Sequence, residues 1–255
     1  MSRLMRFEFR KAFRSLSFYI IALIGLGSII LTAVAAWIVA NFLSGTLPSE
    51  ATDTMPTSAF TAMKGALSGA SFTVLGAIYI ALFVAEDYSK ETIKGVYAKG
   101  YSRNSIFWAK YLTSLVMCLI MFAVFMGGAF IINVVFFGLG TAGENFALSL
   151  IATIFIGLAY HALFFALSIS VRKTAGCIAI GIITPIVISG AFLILDTVAK
   201  DLKPSPSTYW LDSRLTQLSQ VDVALDTIGG SILTAVIVIV IALAISYFVN
   251  HKRDS

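Results

Sequence analysis

The sequence predicts an all-α membrane protein with six transmembrane helices, and three observations carry that reading. Of 255 residues, 58% are hydrophobic and only 12% are charged, with a mean hydropathy of +0.92. A soluble domain of this size needs more charge on its exterior. Apolar runs of about 20 residues, the length that crosses roughly 30 Å of hydrocarbon, recur along the chain. No Asp, Glu, Lys or Arg stands near the centre of any such run. The two cysteines, Cys118 and Cys177, both lie inside apolar runs. They read as small buried hydrophobes, with no disulfide framework. The chain forms one domain over residues 1–255, without an internal repeat.

Residues 1–16 begin that domain as an amphipathic interfacial helix. At about 100° per residue, Arg3, Arg6, Arg10 and Arg14 fall within one narrow arc, opposite Met5, Phe9, Ala12, Phe13 and Leu16. Arginines among headgroups and Phe9 and Phe13 at the acyl boundary would hold such a helix in the interface. Each basic residue near an anionic leaflet contributes about 1 kcal/mol. The plainer alternative is a positive flank that only orients the first span.

The six spans are expected at about 18–42, 69–85, 106–137, 146–171, 175–198 and 229–249. The first has a basic start and Ala33-Val34-Ala35, as a signal peptide would. Its apolar run continues to Phe42, longer than a usual signal core, which favours a retained span. Residues 44–65, with Pro48 and Pro56, read as a loop. The third span is longer than crossing requires and is interrupted by Gly127-Gly128, so it tilts or begins below the membrane surface. Arg172-Lys173 makes a short turn into the fifth span, which Pro185 is expected to kink. A polar segment, 199–228, precedes the last span, and its spaced leucines from Tyr209 to Asp226 fit short helices against the membrane.

Six spans place both termini on one side, and charge decides which. That side holds 14 Lys/Arg: five from Arg3 to Arg14, five from Lys90 to Lys110, then Arg172, Lys173, Lys252 and Arg253. The other side holds four, Lys64, Lys200, Lys203 and Arg214. The positive-inside rule makes the termini cytoplasmic in a cell membrane.

Several chemistries fail on the residues. Gly95-Val-Tyr-Ala-Lys-Gly100-Tyr-Ser102 approaches a phosphate-loop pattern, but Tyr101 stands where the phosphate-binding lysine is needed. The two histidines, His161 and His251, lie on different elements, with no metal-ligand cluster around either. No catalytic residues, metal site or nucleic-acid-binding pattern emerges. Asn133 and His161 are the candidate polar groups inside the membrane; His161 could serve a proton relay or bond a neighbouring helix as a neutral imidazole.

The charged run from Glu86 to Lys110 reads instead as a mechanical element. Ser89 is expected to cap a short helix over Lys90 to Lys99, with Gly100 as its stop and Ile93, Val96 and Tyr97 as its apolar face. Ser102 caps a second helix that carries Arg103, Trp108 and Lys110 into the membrane. A solvated loop whose charges only set topology is the alternative.

Glu86, then Lys90-Glu91-Thr92-Ile93-Lys94, then Gly100-Tyr-Ser-Arg103, then Lys110 resembles a hallmark of type-2 ATP-binding-cassette (ABC) exporter permeases, including the bacitracin-type and amphipathic-peptide exporters. Glu91 stands where that family commonly has glycine. The resemblance implies a bacterial permease subunit, not an enzyme, whose stretch Glu86, Lys90, Glu91, Thr92, Ile93, Lys94, Gly95, Gly100 and Arg103 couples to ATPase subunits. Two ABC ATPase chains would bring ATP and Mg, this chain would hold no cofactor, and a second permease copy would complete a homodimer in the lipid bilayer. An interior without fixed charge fits an amphipathic or hydrophobic substrate, such as a peptide toxin or antimicrobial peptide. The rival readings are a secondary transporter or channel working without an ATPase, and a membrane immunity or assembly factor.

Overall fold

The computed structural model describes residues 2–43, 58–68, 70–198 and 205–252. Residues 44–57 of the expected 44–65 loop, the start of the second span at Gly69, the first part of the 199–228 segment and the tail from Arg253 lie outside the described residues.

The chain begins with α1, Ser2–Arg14. Ser15 is extended and ends it, and α2 follows at once over Leu16–Ile38, continuing as a π-helical turn, Val39–Leu43. A short helix, α3 (Ala59–Gly65), precedes the second long one. Its start is a capping box in which Ser58 Oγ accepts from the Thr61 amide and Thr61 Oγ1 accepts from the Ser58 amide. This corrects the expectation of a loop through residue 65: Ser58 and Thr61 satisfy the exposed amides of a helix start, and Ala59, Thr61, Ala62 and Lys64 are buried.

Residues 70 to 89 form α4 (Ala70–Ile80), a π turn (Ala81–Ala85) and α5 (Glu86–Ser89) without a break. After the turn at Lys90 and Glu91 come α6 (Thr92–Ala98) and the 35-residue α7 (Arg103–Phe137). Gly127 and Gly128 do not interrupt α7. Gly128 faces the Leu26 side chain of α2, and Gly25 of α2 faces the ring of Phe125. Gly25 and Gly128 thus serve close helix approach, a common use of small residues between apolar helices, while a side chain at Gly127 would meet open space.

The fourth long helix, α8, spans Phe146–Val171. Arg172, in the left-handed conformation at φ 57, ends it. α9 covers Thr174–Val198 with Pro185 inside an unbroken helix. A 3₁₀ turn, Pro206–Tyr209, leads into α10 (Leu211–Leu218), and α11 (Leu225–Lys252) closes the chain.

Six helical stretches among the described residues are long and apolar enough to cross a membrane: Leu16–Phe42, Phe72–Ser89, Arg103–Phe137, Phe146–Val171, Thr174–Val198 and Leu225–Lys252. No strand occurs among the described residues. α8 is the central helix, packed on α11, α4, α7 and α9. Its contact with α11 is built from small residues, Ala162 and Ala166 against Ala242, with Ser231, Ala235 and Ser246 also fully buried. Larger rings fill the space between α7 and α8, where Phe165 meets Phe107 at 5.5 Å and Tyr111 at 5.2 Å between centroids. Apolar side chains such as Leu23, Leu31, Val187 and Val240 point outward from α2, α9 and α11.

The spaced leucines of α10 turn toward protein. Leu211, Leu215 and Leu218 are fully buried in the main core, and Trp210 stacks on Phe192 of α9 at 5.7 Å. That corrects the expected position of short helices against the membrane surface: an i, i+4, i+7 stripe finds a denser partner in the ends of α8 and α11.

Candidate coupling site on the side of the termini

α1, α5, α6 and the start of α7 meet at the end of the bundle that holds both termini. The buried apolar part is Leu4 of α1, Ile93 of α6, and Ile106 and Ala109 of α7, with Val96, Tyr97 and Tyr101 partly covered around it. The predicted apolar face of the short helix is therefore real, and it packs on α1 and α7.

A charge cluster locks the same junction. Lys110, one turn deeper on α7, is 1% exposed and donates to Asp87 Oδ2 and, at 3.3 Å, to Glu8 Oε1 of α1. Lys11 of α1 donates to Asp87 Oδ1, and Thr92 Oγ1 donates to the same carboxylate oxygen and to the Asp87 carbonyl at 3.2 Å each. Two lysines thus face two carboxylates, so the cluster is neutral in total. Buried charges persist only when matched and hydrogen-bonded in this way. Arg172, at the turn after α8, lies over the Tyr88 ring at 5.0 Å and brings a third cation beside the cluster.

The local backbone explains the placement. Ser89 does not cap the short helix; α5 runs through it, and the helix begins at Thr92. Glu91 sits before it at φ 56, the left-handed region where a side chain is strained and glycine is favoured. This is the position at which the resemblance has glycine. Its carboxylate pairs with Lys94 at 2.6 Å on an exposed surface. Glu86 pairs with Lys90 one turn on, at 2.5 Å, and that bond and charge hold the Lys90 amine above its ordinary value. Gly100, at φ 81, stops the helix as expected, and Ser102 Oγ accepts from the Ser105 amide to cap α7.

Of the residues expected to couple to a partner, Lys90, Glu91, Thr92, Lys94, Gly95, Gly100 and Arg103 are exposed, Glu86 is half-buried, and Ile93 is buried. Arg3, Arg6, Arg10 and Arg14 all face outward, Phe13 is exposed and Phe9 half-buried. The buried face of α1 is different from the one expected: it is Leu4, Glu8 and Ala12. The arc that excludes the arginines suits lipid by periodicity alone, whereas the donor for Glu8, Lys110 of α7, arrives only in the folded bundle. Sequence reasoning missed Glu8, Lys11 and Asp87. One signal could have found them: Glu8 is the single acid among five basic residues of α1.

Asn133 and His161 are buried but far apart in their roles. Asn133 Nδ2 donates to the Ala129 carbonyl of its own helix at 2.9 Å. His161 Nε2 lies 3.0 Å from Ser114 Oγ, bridging α8 to α7. On the opposite end of the bundle, Asp212 of α10 accepts from Tyr160 (2.6 Å), Ser189 (3.0 Å) and Trp210 (3.2 Å), tying α10 to α8 and α9. Lys64 of α3, fully buried, donates to the Gln220 carbonyl. Burial pushes its amine below the ordinary value, with the Asp222 charge acting in the other direction. Among the described residues no group of three or more His, Cys, Asp and Glu is placed to hold a metal ion.

These features define an all-helical architecture compatible with a multi-pass membrane protein. Residues 18–255 match the model of a family described as a protein of unknown function, DUF2705, and the chain belongs to that family. No curated protein matches the chain.

Proposed function

We propose that this chain is the membrane-embedded permease subunit of an ATP-driven ABC exporter, with ATP and Mg bound by separate ATPase chains. The single observation that carries the reading is the way α6 is held. Ile93 buries its inner face against α1 and α7, while Lys94, Gly95 and Lys99 remain exposed on its outer face. The Asp87–Lys110–Glu8 cluster fixes both flanking helices and α1 to that same point. A load applied to the outer face of α6 therefore reaches the second and third spans directly, as a docking element requires.

In this reading both termini are cytoplasmic in a cell membrane, α1 lies in the interface, and two copies form the translocation path. The substrate is amphipathic or hydrophobic, since no Asp, Glu, Lys or Arg stands near the centre of an apolar run. The test is co-purification of the chain with its ATPase, wild type against a Lys94→Glu/Lys99→Glu double variant of unchanged thermal stability. The expected result is ATPase retention by the wild type and loss in the variant. Failure of the wild type to retain any ATPase, with gradient-driven flux in vesicles holding this chain alone, would overturn the proposal.

A further inference from the structure

Three cations are buried among the described residues: Lys64, Lys110 and Arg214. Lys110 holds Asp87 and Glu8, and Lys64 holds the Gln220 carbonyl. Arg214 of α10 is 7% exposed, yet among the described residues it holds neither a carboxylate nor a carbonyl. The acid two residues before it, Asp212, gives both its oxygens to Tyr160, Ser189 and Trp210. What Arg214 does meet is a ring, with Cζ 5.2 Å from the Tyr209 centroid. A desolvated charge without a counter-ion is costly, and a ring face offsets only part of that cost.

The guanidinium is held so that one end stays available. Nε is sealed from solvent and has no hydrogen-bond partner. Nη1 and Nη2 have no protein partner either, but they are not sealed. α11 approaches these two nitrogens with Gly230, where an added Cβ would stand 3.2 Å from Nη2 and 3.4 Å from Nη1. Two donors on one planar fork suit an oxyanion, a carboxylate or a phosphate.

Depth favours phosphate. From Gly230 to His251 the helix rises about 32 Å, close to the roughly 30 Å of a hydrocarbon core. With His251 and Lys252 at one headgroup layer, Gly230 and Arg214 stand at the other. Leu233, Val236 and Ile237 of α11 are exposed just beyond Gly230 and offer acyl chains an apolar wall. The oxyanion that every phospholipid carries at that level is a phosphate.

We propose that Arg214, flanked by Tyr209 and Gly230, is a binding site for a phosphate group at this headgroup layer. A phospholipid headgroup and free phosphate share this chemistry. The inference needs the six long helices to cross a membrane and involves no ATPase partner.

The test is thermal unfolding of the full-length chain in neutral detergent, titrated with phosphatidylglycerol. A galactosyl diacylglycerol serves as the phosphate-free lipid and inorganic phosphate as the free anion. The exposed arginines of α1 are common to wild type and variants, so each protein's shift is compared with its own lipid-free midpoint. Phosphatidylglycerol should raise the wild-type midpoint at about tenfold lower concentration than that of Arg214→Gln, with Arg214→Lys between them. The galactosyl lipid should act alike on all three. Gly230→Ala keeps the charge but crowds the fork, and it should weaken the phosphatidylglycerol response even if Arg214→Gln fails to fold. Inorganic phosphate that reproduces the whole wild-type advantage would support the site and name free phosphate as its ligand; no effect of phosphate alone would name the lipid. Equal phosphatidylglycerol titrations in wild type, Arg214→Gln and Gly230→Ala would overturn the proposal and leave Arg214 as a guanidinium solvated by water. A wild-type response to the galactosyl lipid as strong as that to phosphatidylglycerol would overturn it as well.

Discussion

Asp87 carries more of the junction than any other side chain: it accepts from Lys110, Lys11 and Thr92 at once. Removing Lys110 strands the Glu8 carboxylate in a buried site and leaves Asp87 with Lys11 and Thr92. Breaking a buried pair from one side costs about 3–5 kcal/mol, so Lys110→Met should lower the thermal unfolding midpoint sharply in mild detergent. A Glu8→Gln/Lys110→Met double variant should recover most of the loss, because the one remaining carboxylate, Asp87, keeps its pair with Lys11. Glu91 has the opposite balance. Its left-handed backbone costs about 1–2 kcal/mol for a side chain, against a weak exposed pair with Lys94. Glu91→Gly should therefore be as stable as the wild type or more so, and Glu91→Val less stable, in the same assay. Lys64 gives a pH signature. Its folded pKa lies below the unfolded 10.5, so between the two values the unfolded chain binds more protons and the folded state gains stability as pH rises. The midpoint of the wild type relative to Lys64→Met should increase on going from neutral pH toward pH 10.5.

At the scale of elements, α6 and α10 are both short helices pinned by a few leucine or isoleucine side chains, at opposite ends of the bundle. Leu215 of α10 is fully buried, and truncating such a side chain costs about 2–5 kcal/mol. Leu215→Ala should destabilise the fold and hasten proteolysis of the 205–228 segment. The start of α7 at Ser102, the stop at Gly100 and the span of α8 were legible from capping residues and apolar length, because those signals act within one or two turns. The true buried face of α1 was not. Its arginines sit where the periodicity puts them, but Glu8 and Lys11 acquire meaning only beside Asp87 and Lys110, which lie 76 and more residues away. α3 was hidden in the same way: Ser58 and Thr61 form a capping box, yet the prolines and polar residues around them weigh toward a loop.

For the whole molecule, the proposed orientation rests on charge. The lysines and arginines of α1, α6 and the 172–173 turn share one end of the bundle, and α10 with its Asp212 hub closes the other. Ala224→Cys and Lys99→Cys, both at exposed positions and made with Cys118 and Cys177 replaced by Ala, should report that asymmetry. A membrane-impermeant maleimide is expected to label Ala224→Cys on intact cells and Lys99→Cys only after permeabilisation; the reverse pattern would invert the proposed orientation. Composition and apolar run length by themselves determined the all-helical class, the six long helices and the position of the charged turn between the second and third. These depend on local sequence and on the solvent each residue needs. Only the tertiary structure decided that α1 is clasped to that turn through Glu8 and Lys110, that α10 folds onto the protein, and that His161 of α8 meets Ser114 of α7. Each depends on which distant side chain arrives opposite, and a helix carries no local record of its neighbour across the bundle.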